Sequence, residues 1–156
     1  MGLYENIRSE PVSRLALREP VVVSPETTIR DAVGQMRQRN LGCAIVVDNE
    51  RRPIGLFAES KLTQLLSETP QAIYDLILDH VDKQWPTVSQ NDPISCVLSA
   101  LEIANIRFLI VVDDQGRVAG LTGQKGLMEY IAEHFPRQVI VQRIGGKPYP
   151  AQREGA

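Results

Sequence analysis

Two stretches of this chain are apolar without interruption. Cys43–Val47 reads CAIVV and Phe108–Val112 reads FLIVV. Apolar runs of that length with no polar alternation predict strands buried on both faces. Each is followed by polar turn residues, Asp48-Asn49-Glu50-Arg51 and Asp113-Asp114-Gln115-Gly116. The second is a hairpin turn in which Gly116 can adopt positive φ. Return strands are predicted over Pro53–Phe57 and Val118–Thr122, with Gly55 marking close backbone approach. Upstream of each pair lies a short extended segment, Pro20–Val23 and Thr87–Ser89.

Between these segments the apolar period changes to that of a helix. Ile29, Ala32, Val33 and Met36 share one face, while Arg30, Arg37, Gln38 and Arg39 point away. Ile94, Val97, Leu98 and Leu101 repeat the arrangement. Thr27 or Thr28 is placed as N-cap of the first helix, and Asn40 or Gly42 supplies the left-handed residue that ends it. Asp92 caps the second, with Pro93 at its first position. Further helices are predicted over Ser60–Ser67 and Leu127–Phe135, and a short turn over Gly2–Ser9. One short helix is expected in the connector, through Ile73, Leu76, Ile77 and Val81. The tail offers one extended patch, Val139-Ile140-Val141, and otherwise reads as loosely held.

The order strand, helix, strand, turn, strand, helix therefore occurs twice, and the residues repeat with it. Asn40–Leu62 aligns without a gap on Asn105–Leu127, 65 positions later. Ile45, Val46, Val47 and Asp48 meet Ile110, Val111, Val112 and Asp113; Gly55 and Leu56 meet Gly120 and Leu121. Val23, Ser24 and Ile29 meet Val88, Ser89 and Ile94. Two copies and no third make a tandem duplication, not a solenoid. The chain divides into an N-terminal segment (1–11), a first repeat (12–67), a connector (68–79), a second repeat (80–135) and a tail (136–156).

At 156 residues the chain suits two halves sharing a core. A half of roughly 60 residues is marginal alone, so the halves are expected to fold against each other. The net charge of −2 gives no global basic field, and nucleic-acid binding has no electrostatic support. Cys43 and Cys96 sit in apolar company and read as buried small hydrophobes of a reducing compartment. The first residues show no signal-peptide pattern. No apolar run reaches the roughly 18 residues of a spanning helix. Cytoplasmic location and no membrane contact are the expectation.

The Val-Ser pair before the first helix, the strand closing in Val-Val-Asp, and the Gly-Leu of the return strand together resemble the CBS domain, named after cystathionine beta-synthase. The segment Ile106–Asp113 is especially similar. The likeness covers about Val12 to Ile131 and rests on the pattern occurring twice, as in the tandem pair called a Bateman module. It implies a mixed α/β (α+β) fold: two βαββα units related by pseudo-twofold symmetry with their sheets face to face. It also implies a regulatory role and no enzymatic activity. Such pairs bind adenosine-containing ligands (AMP, ADP, ATP or S-adenosylmethionine) between the repeats, commonly as homodimers, and signal to an effector protein.

After the Gly-Leu of the return strand, ligand-binding members carry Thr or Ser and then, three residues on, an Asp that holds the ribose hydroxyls. Here Ala58 and Lys61 stand at those places in the first repeat, and Gly123 and Gly126 in the second. A charge-assisted hydrogen bond of this kind contributes roughly 1.5–3 kcal/mol, about tenfold to hundredfold in affinity. The resemblance assigns a first cleft to Ala58, Ser60, Lys61, Val81, Gln84, Pro86, Thr87, Ile106 and Arg107. A second comprises Ala16, Val21, Val22, Leu41, Gly42, Thr122, Gly123, Lys125 and Gly126. The first is favoured, because Lys61 and Arg107 would approach one phosphate from two sides. The nucleotide is a regulatory ligand, not a catalytic cofactor. The missing aspartates favour an alternative: a ligand-independent dimerisation or docking module. Dimerisation would use the helix faces Ile29–Met36 and Ile94–Leu101, expected to lie partly exposed to a second subunit, with Ile103 and Ala104 extending the second.

Other chemistry finds little support. Gly120–Gly126 lacks the loop length of a phosphate-binding P-loop and the Ser or Thr after its lysine. His80 and His134 have no neighbouring metal-ligand pattern. Ser24 and Ser89 recur at one repeat position and read as turn residues. Trp85 reads as a packing residue before a strand.

Overall fold

A computed structural model of the chain describes residues 2–104 and 106–134. The predicted tail patch at 139–141 and the last residue of the predicted final helix, Phe135, lie outside the described residues. The element order is α1 (Leu3–Ser9), β1 (Val21–Val23), α2 (Ile29–Arg39), β2 (Cys43–Val47), β3 (Pro53–Ala58), α3 (Glu59–Glu68), β4 (Thr87–Ser89), α4 (Ile94–Ala104), β5 (Phe108–Val112), β6 (Val118–Gly123) and α5 (Gln124–His134). The two repeats build one mixed sheet each, in the orders β1-β2-β3 and β4-β5-β6. In both, the first strand pairs parallel and the third antiparallel to the middle one. The register shift after Val46 recurs after Val111.

The apolar runs mark the middle strands because both of their faces are used. One face of the first sheet packs under its own helices, with Ala44, Val46 and Phe57 against Ile29, Ala32 and Met36. One face of the second does the same, with Leu109 and Val111 against Ile94, Val97, Leu101 and Tyr130. The remaining faces meet: Cys43, Ile45, Val47 and Leu56 pack on Ile110, Val118 and Leu121. Trp85 joins that layer and donates its Nε1–H to the Phe108 carbonyl at 3.0 Å.

The Val-Val-Asp endings have a structural cause. Asp48 Oδ1 accepts the N–H groups of Glu50 and Arg52, and Asp113 Oδ1 those of Gln115 and Arg117, all at 2.9 Å. The Arg117 amide, followed by that of Gln115, holds the Asp113 carboxyl below the usual range. Both turns need one left-handed residue, Gly116 at φ 79° and its repeat equivalent Arg51 at φ 65°. Arg51 has no glycine freedom, but the opposite turn secures it. Its carbonyl accepts the Val118 N–H at 2.9 Å, and its Nε donates to the Val118 carbonyl at 3.2 Å.

Three local expectations are corrected. The connector holds two 3-10 turns, Pro70–Tyr74 and Ile77–His80, rather than one helix. Between them Leu76 bridges to Thr28, and Asp75 and Ile77 exchange hydrogen bonds with Ile29 and Thr27, so the chain is held extended there. Asp92 does not cap α4; its Oδ2 accepts the Ser89 N–H at 2.9 Å, and the Ile94 N–H donates to the Glu10 carbonyl. Helix α5 begins at Gln124, three residues earlier than predicted, because β6 runs into it directly. On the helix faces expected to meet a second subunit, Ile29, Ala32, Met36, Ile94, Val97 and Leu101 are buried within the protomer, whereas Leu98 is exposed. Thr28 and Asn40 do cap α2, Thr28 accepting the Asp31 N–H at 3.2 Å and Asn40 adopting φ 54°. No helix among the described residues is long and apolar enough to cross a membrane.

The N-terminal segment is tied to the far end of the chain. Tyr130 donates its hydroxyl to Glu10 Oε1 at 2.7 Å. This bond, and then that from Arg14, holds the Glu10 carboxyl below its ordinary value. A carboxyl depressed on folding stabilises the fold above its unfolded pKa, and that contribution is lost as pH falls through the folded value. Tyr130→Phe removes the largest cause of the shift. Its loss of stability should therefore be larger at pH 7 than in acid, below both Glu10 pKa values, as read by urea midpoints across that range.

Candidate functional site

Each repeat sends a strap across the other. Arg18 and Leu121 exchange backbone hydrogen bonds, both 2.9 Å, and Asp82 and Leu56 do the same at 3.0 Å. The strap passes so close that a Cβ on Gly120 would lie 2.8 Å from Leu17 Cβ, and one on Gly55 would lie 2.7 Å from Val81 Cγ2. Glycine is needed at both places for this approach. The strap of residues 16–18 thus reaches the start of α5, although it precedes the first repeat's own sheet.

A cavity of about 660 Å³ opens at the junction of the repeats. Its walls come from α2 (Val33, Met36, Arg37), the loop Asn40–Gly42, the start of α3 (Glu59, Leu62), Arg107 and Phe108, the start of α5 (Gln124, Lys125, Met128), and Arg18. The volume falls in the range of small-molecule sites. The Glu59 carboxylate and the Phe108 ring tip both stand about 3.3 Å from where a Gly42 Cβ would be. Burial, and after it the Glu59 charge, pushes the neighbouring Cys43 thiol up to about 12, so this cysteine is an inert packing residue. Arg107 lies 5.9 Å from the Phe108 ring centroid, within cation–π range.

A second, small cavity of about 50 Å³ adjoins it at the α5 start, lined by Ala16, Arg18, Arg107, Thr122, Gly123, Lys125, Gly126 and Glu129 among others. Thr122 is 5% exposed, and its Oγ1 makes no hydrogen bond within the described residues. It lies 2.7 Å from the position of a Gly126 Cβ, so Gly126 permits the helix to sit down on it. A buried unpaired hydroxyl costs roughly 1–3 kcal/mol, and the cavity beside it is wide enough for a water oxygen.

Charge distinguishes the two helix starts. Helix α3 carries its own acid, Glu59, in the first turn, whereas α5 has none and carries Lys125 instead. The first-turn N–H groups of a helix favour an anion. Arg18, Arg107 and Lys125 gather around the α5 start, Arg37 lines the large cavity from α2, and none of the four has a carboxylate within 4.0 Å among the described residues. Two acids, Glu59 and Glu129, face them across the cavities. In a chain of net charge −2 this is a local excess of positive charge.

The structure distributes the sequence-predicted residues differently from the expected clefts. Ala58, Ser60, Lys61 and Val81 share a separate cavity of about 510 Å³ with Asp82, Lys83 and Trp85. Arg107 lines the α5 cavities with Lys125, not the Lys61 cavity. The reason is strand pairing: Phe108 lies opposite Gly123, which holds residue 107 beside its own repeat's helix start. Leu41 and Gly42 line the large cavity; Ala16, Thr122, Gly123 and Gly126 line the small one. Val21 is buried in the first core, Val22 and Ile106 pack against core layers, and Gln84, Pro86 and Thr87 line none of these cavities. Arg18, Arg37 and Glu59 were not anticipated as site residues. A residue two positions before a predicted strand carries no local signal of this role.

Two face-packed βαββα units joined by crossing straps define a tandem-repeat class of mixed α/β fold. The chain belongs to the CBS-domain family, whose sequence profile matches residues 12–68 and 76–133. It is similar to an uncharacterised 17.7 kDa protein of Acidianus ambivalens, 24% identical over 116 residues, covering 74% of this chain and 70% of that one. It spans 63%, 40% and 33% of the length of three further curated relatives. Among solved structures, the CBS domain protein PAE2072 of Pyrobaculum aerophilum, complexed with AMP, superposes at TM-score 0.70 with 20% identity, covering 85% of this chain and 96% of that one. The CBS domain pair of protein MJ0100, in complex with 5′-methylthioadenosine and S-adenosyl-L-methionine, gives 0.69 at 18% identity, covering 79% and 96%.

The wall between β5 and α5 has no spare room. A Cβ on Gly123 would fall on the Arg107 carbonyl oxygen. Gly123→Ala should therefore destabilise the protein by about 1–3 kcal/mol through overpacking, measured as a shift in the denaturant midpoint at unchanged slope.

Proposed function

We propose that this chain is a regulatory module that binds an adenosine-containing ligand in the cleft at the start of α5 and transmits the bound state to a partner protein. The observation that carries this reading is the set of unpaired cations around a helix start that has no acid of its own. A phosphorylated nucleoside supplies the missing negative charge and has the size for the adjoining cavity. The AMP held by the Pyrobaculum protein and the adenosine compounds held by MJ0100 support the same ligand class. The reading makes the nucleotide an effector, not a cofactor of catalysis, and places the module in the cytoplasm. It prefers the α5 cleft over the Lys61 cavity because the first turn of α3 carries an acid, Glu59, whereas that of α5 carries none.

Thermal or denaturant unfolding in the presence of AMP, ATP and S-adenosylmethionine tests it. A ligand at a hundred times its dissociation constant stabilises a native protein by about 2.7 kcal/mol. A gain of that order with at least one of the three is expected, and none with any of them ends the proposal.

A second reading, a homodimerising or docking module that needs no ligand, is favoured by apolar surface left on the helices. Ile103 is 84%, Met128 69% and Leu98 49% exposed. Sedimentation across a hundredfold concentration range decides whether a second copy covers it: a dimer in the absence of nucleotide is expected on this reading, and a monomer of 17.4 kDa at every concentration excludes it.

A further inference from the structure

Resting on the proposed α5 site, the geometry points to a ligand with more than one phosphate, and to Arg18 as the residue that reads the phosphates beyond the first. Arg18 lines the large cavity, the small cavity at the α5 start, and a shallow groove of about 470 Å³ that continues past Asn40 and Leu41. It therefore stands where the three spaces meet, on the path by which an anionic chain rooted at α5 would leave the helix. Its place is fixed by the paired backbone hydrogen bonds to Leu121, the residue immediately before Thr122. Its side chain has no ion pair or hydrogen bond among the described residues, whereas the acid beside it, Glu19, faces Arg39 at 3.6 Å.

The other groups divide the work. The α5 amides and Lys125 are positioned for the phosphate nearest the helix, and Arg107, held over Phe108, stands to one side of it. A monophosphate is satisfied by these alone. Arg18 comes from the opposite repeat and adds most when the ligand carries negative charge further along the groove. A sulfonium or other cationic nucleoside brings positive charge to a wall of unpaired cations and is disfavoured. Arginine also suits the task chemically, since its planar fork grips phosphate oxygens in pairs.

The test is calorimetric titration of the full chain with AMP, ADP, ATP and S-adenosylmethionine in one buffer at fixed salt. Affinity should rise with phosphate number, by about tenfold or more from AMP to ATP, the equivalent of one charged hydrogen bond. Arg18→Ala should abolish most of that rise by weakening ATP more than AMP, and Arg18→Lys, which keeps the charge, should retain part of it. An unchanged melting temperature and circular dichroism spectrum establish that the variants are folded, and Arg18→Gln repeats the measurement with a polar side chain of similar reach. Equal affinity for AMP and ATP, or tighter binding of S-adenosylmethionine, overturns the inference and leaves the adenosine reading standing. Equal weakening of AMP and ATP by Arg18→Ala also overturns it, because Arg18 would then be a contact common to both. Binding of none of the four compounds ends the inference together with the reading it rests on.

Discussion

Each three-stranded sheet in this protein has a face that its own helices cannot reach. The layer in which Cys43, Ile45, Val47 and Leu56 meet Ile110, Val118 and Leu121 covers both of those faces at once. Without it, each half would expose the inner side of its middle strand, and a half of roughly 60 residues has too small a core to tolerate that. The layer explains why β2 and β5 are unbroken apolar runs. It also explains the glycines of the return strands, since the straps that cross over Gly55 and Gly120 lock the halves together only if nothing projects there. Turn chemistry follows the same constraint. Arg51 holds a left-handed conformation because its carbonyl and side chain are engaged by Val118 of the other repeat.

Duplication gave two helix starts on nearly the same backbone, and side-chain chemistry has since made them unlike. At α3 the first turn is neutralised by Glu59, with Ala58 as a cap that offers no side-chain acceptor. At α5 the same turn carries Gln124 and Lys125, is approached by Arg107 and Arg18, and rests on the unpaired Thr122 hydroxyl. A helix start without an acid, surrounded by cations with no carboxylate partner among the described residues, is unfavourable on its own. Such an arrangement sacrifices some stability and is most simply understood as a place kept for an anion.

Much of the fold was legible in the sequence because the decisive signals are local and appear twice. The runs CAIVV and FLIVV, the aspartates that end them and the helical spacing of Ile29–Met36 each specify an element from adjacent residues. The 65-residue echo fixes how the elements are ordered. The site was less legible because it is assembled across the repeats. Arg107 was paired with Lys61 on the strength of family pattern, but the pairing of Phe108 with Gly123 keeps it at α5. Arg18 lies over a hundred positions from Lys125 in sequence, and only the strap across Gly120 brings them to one cavity. The buried faces of α2 and α4 show the same limit: periodicity finds an apolar face but not what covers it, and here most of each lies against the protein's own sheet.

The cross-repeat construction also bears on how a bound ligand would act at a distance. A ligand at α5 touches Lys125 of the second repeat and, through the strap, Arg18 of the first, while Gly42, Glu59 and Phe108 bring both repeats to the opposite wall. Its binding energy therefore falls on the junction between the sheets rather than within either one. A ligand shifts a conformational equilibrium only by its difference in affinity for the two states. A site whose walls belong to two bodies is the arrangement in which that difference depends most directly on how the bodies sit together. Ile103 of α4 and Met128 of α5 lie exposed on the second of those bodies.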